Sequence, residues 1–434
     1  DPTQWPTIVT TAGTIKYRLF MLRGVQDVSI ENITFTGARN VKAAGADARG
    51  AALAFDNCLN IRMSNCVISN NHAETTGSGT TCQGGGLYVS DSRLTLIGCL
   101  LDGNTVKSAG GSSSYGGAVA YDANSVCTFV NCVFKQNMLL GAANNCLGGA
   151  VYQSGSATMG TFQNCLMVGN VALPPGFSAA NGDGVYCNDG SLSMTNCTVA
   201  YNTGDGVYRK AGTVRLANSI VYGHVDDLVG TVSLDHCLTG DGDNAGNNGC
   251  LQGDPDFTHG FYLAAGSPAR DAGDQPVAGT IFTNLTTLVA GTFDSGTVDL
   301  GYHYNTAAPL IPEKLYVATT GSDANDGLTD SAPLKSITKA LALAGDQTVI
   351  QIALGRYSTG TTGETFPLAL NRRYGLEMIG APDGGTIIDA TGSNMRVMTA
   401  LDCGGLCFSN LIFTGGHETS ALGVGIYGGG VRLE

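Results

Sequence analysis

The feature that most constrains this chain is a repeat. A short motif recurs as NCVISNN, GCLLDGN, NCVFKQN, NCLMVGN and NCTVAYN, placing its second residue at Cys66, Cys99, Cys132, Cys165 and Cys197, with spacings of 33, 33, 33 and 32. The series extends back by 33 to Ile33 and forward by 22 to Ser219. A second motif, GGGLYV, GGAVAY, GGAVYQ, GDGVYC and GDGVYR, has its third residue at Gly86, Ala118, Ala150, Gly184 and Gly206, which leads the cysteine column by 13 to 15. The segment between the motifs is therefore nearly constant. The segment after the closing Asn ranges from about a dozen residues to almost none, so it reads as a loop. A sustained period of this length marks a repeat architecture.

A 33-residue period fits ankyrin repeats and lies near that of tetratricopeptide repeats, but both need paired Ala- and Leu-rich helices. These units carry Gly, Asn and β-branched residues instead, with apolar bursts of three to five residues separated by turn residues, as in Leu94-Thr95-Leu96-Ile97. The 63 glycines follow no Gly-X-Y period. Each unit supplies one coil of a parallel β-helix, and successive coils stack about 4.8 Å apart. The fold expected is all-β, a right-handed parallel β-helix, with one short capping helix near 333–344.

Stacking turns the repeat into columns. The residues before the cysteine column, Asn32, Asn65, Asn131, Asn164, Asn196 and Asn218, form one row, and the closing Asn71, Asn104, Asn137, Asn170 and Asn202 form another. Asn tolerates left-handed backbone at turns, and its amide can bond the amide of the next coil. Cys66, Cys99, Cys132, Cys165 and Cys197 point inward as small hydrophobes, because parallel in-register neighbours suit disulfide geometry poorly. Cys237 with Cys250 and Cys403 with Cys407 each flank a short turn and are the bridges expected among the fourteen cysteines.

The paired motifs resemble the repeats of polymorphic outer-membrane proteins and, more broadly, of secreted right-handed parallel β-helix proteins, over roughly residues 24–225. Gly253–Asp274 (GDPDFTHGFYLAAGSPARDAGD) with Val298–Tyr304 (VDLGYHY) resembles the closing segment of bacterial secreted β-helix proteins, expected over the last coil. A linker with two prolines, 305–314, follows. Residues 315–434 then open with LYVATTGSDANDGLTDSAPLKSITKALALAGDQTVIQIALGRYS, which resembles the opening segment of many such proteins, a domain of unknown function. Its helix, from about Pro333, puts Ile337, Ala340, Leu341 and Ala344 on one face, facing the first coil. The expectation is two incomplete modules in tandem: residues 1–304, coils closed by a cap at about 253–304, and residues 315–434, a cap with the first coils of a second module.

The stretches Leu22–Ala38 and Leu401–His417 match with Asn32 on Asn410, and that alignment has an offset of 378, which also sets Ala52–Asp56 on Gly430–Glu434 and carries the first stretch onto residues 400–416. It implies a long repeat, tandem in one polypeptide or continued head to tail by neighbouring copies; such open contacts propagate into fibres.

Charge narrows the partners. Net charge is −13 and the sequence pI about 4.8, which leaves no basic field for nucleic acid or anionic membranes. No apolar run reaches the 18 or so residues of a membrane span. The chain opens at Asp1 without a basic-then-apolar leader, as expected of a processed or excised piece of an exported, secreted or surface-displayed bacterial protein.

Chemistry is harder to find. β-Helix lyases need a Lys or Arg base and usually calcium, and hydrolases need converging carboxylates. The nearest candidates are Asp183 and Asp205, at equivalent places in two GDGVY motifs, with His224 and Arg209 close in sequence. The bland reading is that the two aspartates replace a turn glycine, and that His72, His224 and His236 are turn or surface residues. The loop Ser322–Asp330 offers Asp323, Asn325, Asp326 and Asp330 as oxygen ligands for calcium but lacks a bidentate Glu at the twelfth position, so a plain Asx-turn loop is the alternative. Thr239–Gly249 carries the same ambiguity. No other cofactor is expected.

The function expected is a non-catalytic structural or adhesive rod or filament. Its partners would be neighbouring copies or adjacent repeats end to end, with carbohydrate or another cell-surface ligand on its loops. The runner-up is a polysaccharide-binding or polysaccharide-cleaving enzyme of the same fold, recognisable by a groove lined with three or more ionisable side chains from successive coils.

Overall fold

One coil shows how the repeat becomes structure. Strand Leu87–Ser90 turns at Asp91 (φ 45°) into Arg93–Ile97, turns again at Gly98 (φ 60°) into Leu100–Asp102, and leaves through Gly103 (φ 64°). After a side excursion it re-enters the next coil through Gly116 (φ 61°) at strand Val119–Asp122. Corners thus demand left-handed backbone, which Gly adopts freely and Asn more readily than other side chains. Accordingly Asn32, Asn65, Asn131, Asn164, Asn196 and Asn218 have φ between 49° and 55°.

In the computed structural model, which describes residues 7–9, 17–43, 45–109, 112–141, 145–173, 181–305, 312–371, 373–382, 384–401, 403, 405–417 and 430–433, this coil repeats as a right-handed parallel β-solenoid. The chain divides into two compact units, Asp1–Asp256 with Ala265–Thr306, and Ala307–Glu434 with Phe257–Ala264.

The first unit has three long parallel sheets. Sheet 1 has ten strands, from Thr7–Val9 to Leu251–Gln252; sheet 2 has eight, from Phe20–Arg23 to Leu228–Val229; and sheet 3 has eight, from Gln26–Glu31 to Ser233–Asp235. Pairing is in register, so Leu96 lies between Met63 and Phe129, and like residues stack inside. The rings of Phe129 and Phe162 stack with centroids 4.6 Å apart. The cysteine column is buried, and the thiols donate to main-chain carbonyls, as Cys132 Sγ does to Val130 O at 3.3 Å.

None of the fourteen cysteines is in a disulfide, which corrects the two expected bridges. Cys237 and Cys250 precede Leu238 and Leu251, which pair in sheet 1, so both belong to the cysteine column, where parallel neighbours do not present bridging geometry. Cys403 is half-buried and Cys407 exposed.

The variable segments stack in register between sheets 1 and 2, and their inward residues Ala73, Cys82, Val106, Leu139, Cys146 and Ala172 join the main core. Arg39–Lys42, His72–Thr75, Thr105–Ser108, Met138–Gly141 and Val171–Leu173 form a five-stranded sheet. Ala48–Arg49, Thr81–Gln83, Ser113–Tyr115 and Asn145–Leu147 form a four-stranded one. Residues 110–111, 142–144 and 174–180 of these segments lie outside the described residues, as does most of the linker, 306–311.

The closing segment was expected over the last coil; its portion 274–303 lies along the outer face of sheet 1. The corner asparagines hold it there. Asn164 exchanges two hydrogen bonds with the main chain of His303 (2.7 and 2.8 Å), Asn196 donates to Asp299 O (3.2 Å), and Asn218 exchanges two with Asp274. Inside this segment Val277, Phe282 and Val298 form a small core of their own.

In the second unit, strands Lys314–Val317, Val349–Ile352, Glu377–Ile379 and Cys407–Ser409 form a parallel sheet. The helix is shorter than the sequence suggests: α1 spans Ile337–Leu343, because Leu334 is drawn into a bridge with Val317 and Ser336 caps the helix by accepting from Lys339 N. Its buried face is Ile337, Ala340 and Leu341, with Ala344 buried just beyond.

The long repeat is written in the backbone as well. Left-handed residues recur in pairs at the offset that sets Asn32 on Asn410: Asp27 (φ 59°) and Gly405 (61°), Asn32 (55°) and Asn410 (54°), Gly37 (73°) and Gly415 (70°). Phe20 pairs with Leu53, and their counterparts at the same offset, Met398 and Val431, pair with each other.

Candidate functional site

The closing asparagines form one continuous chain of hydrogen bonds. Asn71 Nδ2 donates to Asn104 Oδ1, Asn104 to Asn137, Asn137 to Asn170 and Asn170 to Asn202, each at 2.9 Å. Every member is buried, and each Nδ2 also donates to a main-chain carbonyl of the preceding coil, such as Phe35 O or Ile68 O. The chain runs on through His224. Asn202 Oδ1 is taken by Asn170, so its Nδ2 donates to His224 Nε2 (3.0 Å), which places the ring proton on Nδ1, facing Asp227 Oδ1 at 2.9 Å. The amide dipoles all point their positive ends along the chain toward this buried carboxylate, which also accepts Gly240 N at 2.6 Å.

Beside the ladder, the turn into sheet 2 explains the two GDGVY motifs. In looped coils this position is small, Ala51, Gly85, Gly117 and Gly149 in turn, and at the later ones there is no room for more: a Cβ on Gly117 would stand 2.1 Å from Gly149 O and 2.8 Å from Met138 N. The coil that begins at Asp183 has no loop strand after Asn202, and the carboxylate fills the space. Its Oδ2 accepts Ala172 N (3.0 Å), Gly204 N (2.9 Å) and the Thr203 hydroxyl. It thereby closes the outer edge of the loop sheet, whose last strand is Val171–Leu173. Burial pushes this carboxyl up to about 6 despite those bonds, and Oδ1 has no partner.

Further along the same edge Asp205 is half-buried, and burial and then Asp226 push its carboxyl up. Asp226, Asp241 and Asp243 each bring one carboxylate oxygen within 4.8 Å of the others, the sole such convergence of three acidic, imidazole or thiol ligands among the described residues. Burial, then the charge of Asp241, push Asp243 up to about 6. It lines a cleft of about 330 Å³ with Ser233, Asn244 and Asn248. Arg209 is not engaged with the cluster; its Nε donates to Gly212 O at 2.9 Å.

The calcium candidates of the loop Ser322–Asp330 bond the chain around them. Asp323 accepts Lys335 N, Ser336 N and Ser336 Oγ at 2.7–2.9 Å, Asn325 donates to Pro333 O, Asp326 accepts Leu328 N, and Asp330 is exposed. Asp326 thus makes an Asx turn, while Asp323 and Asn325 tie this loop to the entry of α1. Sequence reasoning named the stretch Thr239–Gly249 that holds Asp241 and Asp243 but missed Asp226 and Asp227. Their signal was the aspartate density between 226 and 243, where the period is already breaking down.

A family model described as "Protein of unknown function (DUF1565)" matches residues 319–426. No curated protein matches the chain. A solved structure of an alginate lyase of the PL6 family is similar at 10% identity and a TM-score of 0.19, covering 100% of this chain and 73% of that one. The chain is a parallel β-helix repeat protein. Among its described residues no helix is long and apolar enough to cross a membrane.

Proposed function

We propose that this β-helix repeat protein is a non-catalytic structural or adhesive element of a secreted or surface-displayed bacterial rod, akin to polymorphic outer-membrane-type repeats, with modules recurring at the interval that sets Asn32 on Asn410. One observation carries the reading: two of the polar groups that a catalytic reading would recruit, His224 and Asp183, are spent on joining coils. His224 offers no lone pair to a substrate, since Asn202 donates to Nε2 and Nδ1 faces Asp227, and Asp183 is sealed under three donors. Stacking of this kind makes a stiff scaffold whose edge segments face outward. No cofactor is called upon.

The second reading, a polysaccharide-binding or polysaccharide-cleaving enzyme, draws on the row of carboxylates at Asp205, Asp226, Asp241 and Asp243 along one edge. Incubating the protein with uronate-containing and neutral polysaccharides, with and without calcium, separates the two. The structural reading expects no new reducing ends and no absorbance from unsaturated uronates. Cleavage that disappears in the Asp226→Asn/Asp243→Asn variant would establish the enzyme.

A further inference from the structure

Among the described residues, the outer face of sheet 1 is covered over only part of its length. Beneath the closing segment, outward residues such as Leu166, Val168 and Thr198 are buried to 6% exposure or less. There the solenoid reads a segment bent at Gly301 (φ 87°) mainly through its backbone: Asn164 pairs with the N–H and C=O of His303, Thr198 Oγ1 accepts Tyr302 N at 2.9 Å, and Asn196 Nδ2 donates to Asp299 O. Gly301 sits where the strand presses closest, since a Cβ there would come within 2.6 Å of Thr198 Oγ1.

The same face continues in register across the earlier coils, where the closing segment does not reach. Thr34 pairs with Val67, Val67 with Leu100, Leu100 with Val133 and Val133 with Leu166, so Thr34 occupies the sheet position that Thr198 occupies five coils later. Asn32 precedes Thr34 as Asn196 precedes Thr198, with φ of 55° and 50°. Asn32 and Asn65 are exposed.

We infer that the sheet 1 face from Asn32 to Asn131 docks a polypeptide segment of a partner protein with a glycine at its bend, running along the solenoid axis as residues 299–303 do. The argument is continuity: the molecule displays on its later coils what this face binds. A second copy is a poorer occupant, because its closing strand is already engaged and would exchange one set of hydrogen bonds for an equal one.

The test uses a fluorescent peptide of sequence TVDLGYHY titrated against the intact protein. The chain's own strand, tethered beside Asn164 to Asn218, holds that site at high effective concentration, so the peptide reports the open track. Saturable binding is expected, weakened at least tenfold in the Asn32→Asp/Thr34→Val/Asn65→Asp variant and in the peptide TVDLLYHY. Circular dichroism melting checks that the variant is folded; should it not be, the single Thr34→Val variant and the altered peptide carry the comparison. No binding, or binding indifferent to these changes, overturns the inference. So does concentration-dependent self-association abolished by the same substitutions, which would make a second copy the occupant.

Discussion

Asp183 stands where three earlier coils have glycine, and its placement shows how one residue answers a change in its neighbourhood. The sequence displayed the substitution, and its reading as a replaced turn glycine holds. What it could not display is the reason, because the loop strand absent after Asn202 belongs to the far end of the same coil. The cost is electrostatic. A carboxyl raised from 3.8 to about 6 binds its proton more tightly in the folded state, so its stabilising contribution is complete below about pH 3.8 and is lost as pH rises through about 6. For a group this buried the difference between pH 3.8 and 7.5 is on the order of 3 kcal/mol, at about 1.4 kcal/mol per unit. Asp183→Asn should therefore flatten the fall in melting temperature between pH 4.5 and 7.5 relative to the parent; parallel pH profiles would refute the assignment. The ladder residue Asn137 is costlier still to remove, since its amide makes four buried bonds, two from Asn104 and two to Leu101 O and Asn170 Oδ1. At 1–3 kcal/mol per orphaned group, Asn137→Leu should destabilise the first unit by about 3–5 kcal/mol in denaturant titration, and a loss under 1 kcal/mol would show that the ladder relaxes.

At the scale of elements, what repeats was legible and what is singular was not. Corner asparagines, the cysteine column and the buried face of α1 follow from period and amphipathicity. The loop segments CQGGG, SYGGA and CLGGA share little with one another beyond the glycines that end them, so nothing in them announces the four-stranded sheet to which they contribute. They become strands because the coils beneath fix them one above another at the spacing of a ladder. The same limit hid the cap of α1. Glu364, 2% exposed and far along the chain from Ile337, accepts Ile337 N and Thr338 N at 2.9 Å and the hydroxyls of Thr338 and Thr362. A buried carboxylate at a helix start satisfies orphan donors and the helix dipole together. Glu364→Ala should lower the second unit's stability by about 3 kcal/mol, from charge-assisted bonds worth about 1.5–3 kcal/mol each. In calorimetry only the transition of the second unit should move. An unchanged thermogram would mean that Thr338 and Ser336 suffice.

At the scale of the whole molecule, the solenoid's stability is a sum over neighbouring coils rather than a property of one core. Each interior strand is bonded on both sides: Arg93–Ile97 lies between Leu59–Ser64 and Val126–Val130, and its Leu94 and Leu96 are 2% exposed or less. Leu251–Gln252 pairs with only Leu238–Thr239, and Leu251 is half-buried, although Cys250 continues the column. Opening a central coil breaks two ladders and exposes Phe129, Phe134 and Phe162, whereas opening this last rung of sheet 1 breaks one. Local opening free energies should therefore grade along the axis. Native-state hydrogen exchange read by mass spectrometry should find the amides of residues 94–97, 127–130 and 160–163 slowest and those of 238–239 and 251–252 faster by at least a hundredfold. The Asn137→Leu substitution should speed exchange in the coils on either side of it before it touches the coils near residue 220. Uniform protection that collapses everywhere at once under the substitution would instead mean that the coils unfold as a single cooperative body, and nearest-neighbour stacking could not then be what holds the solenoid together.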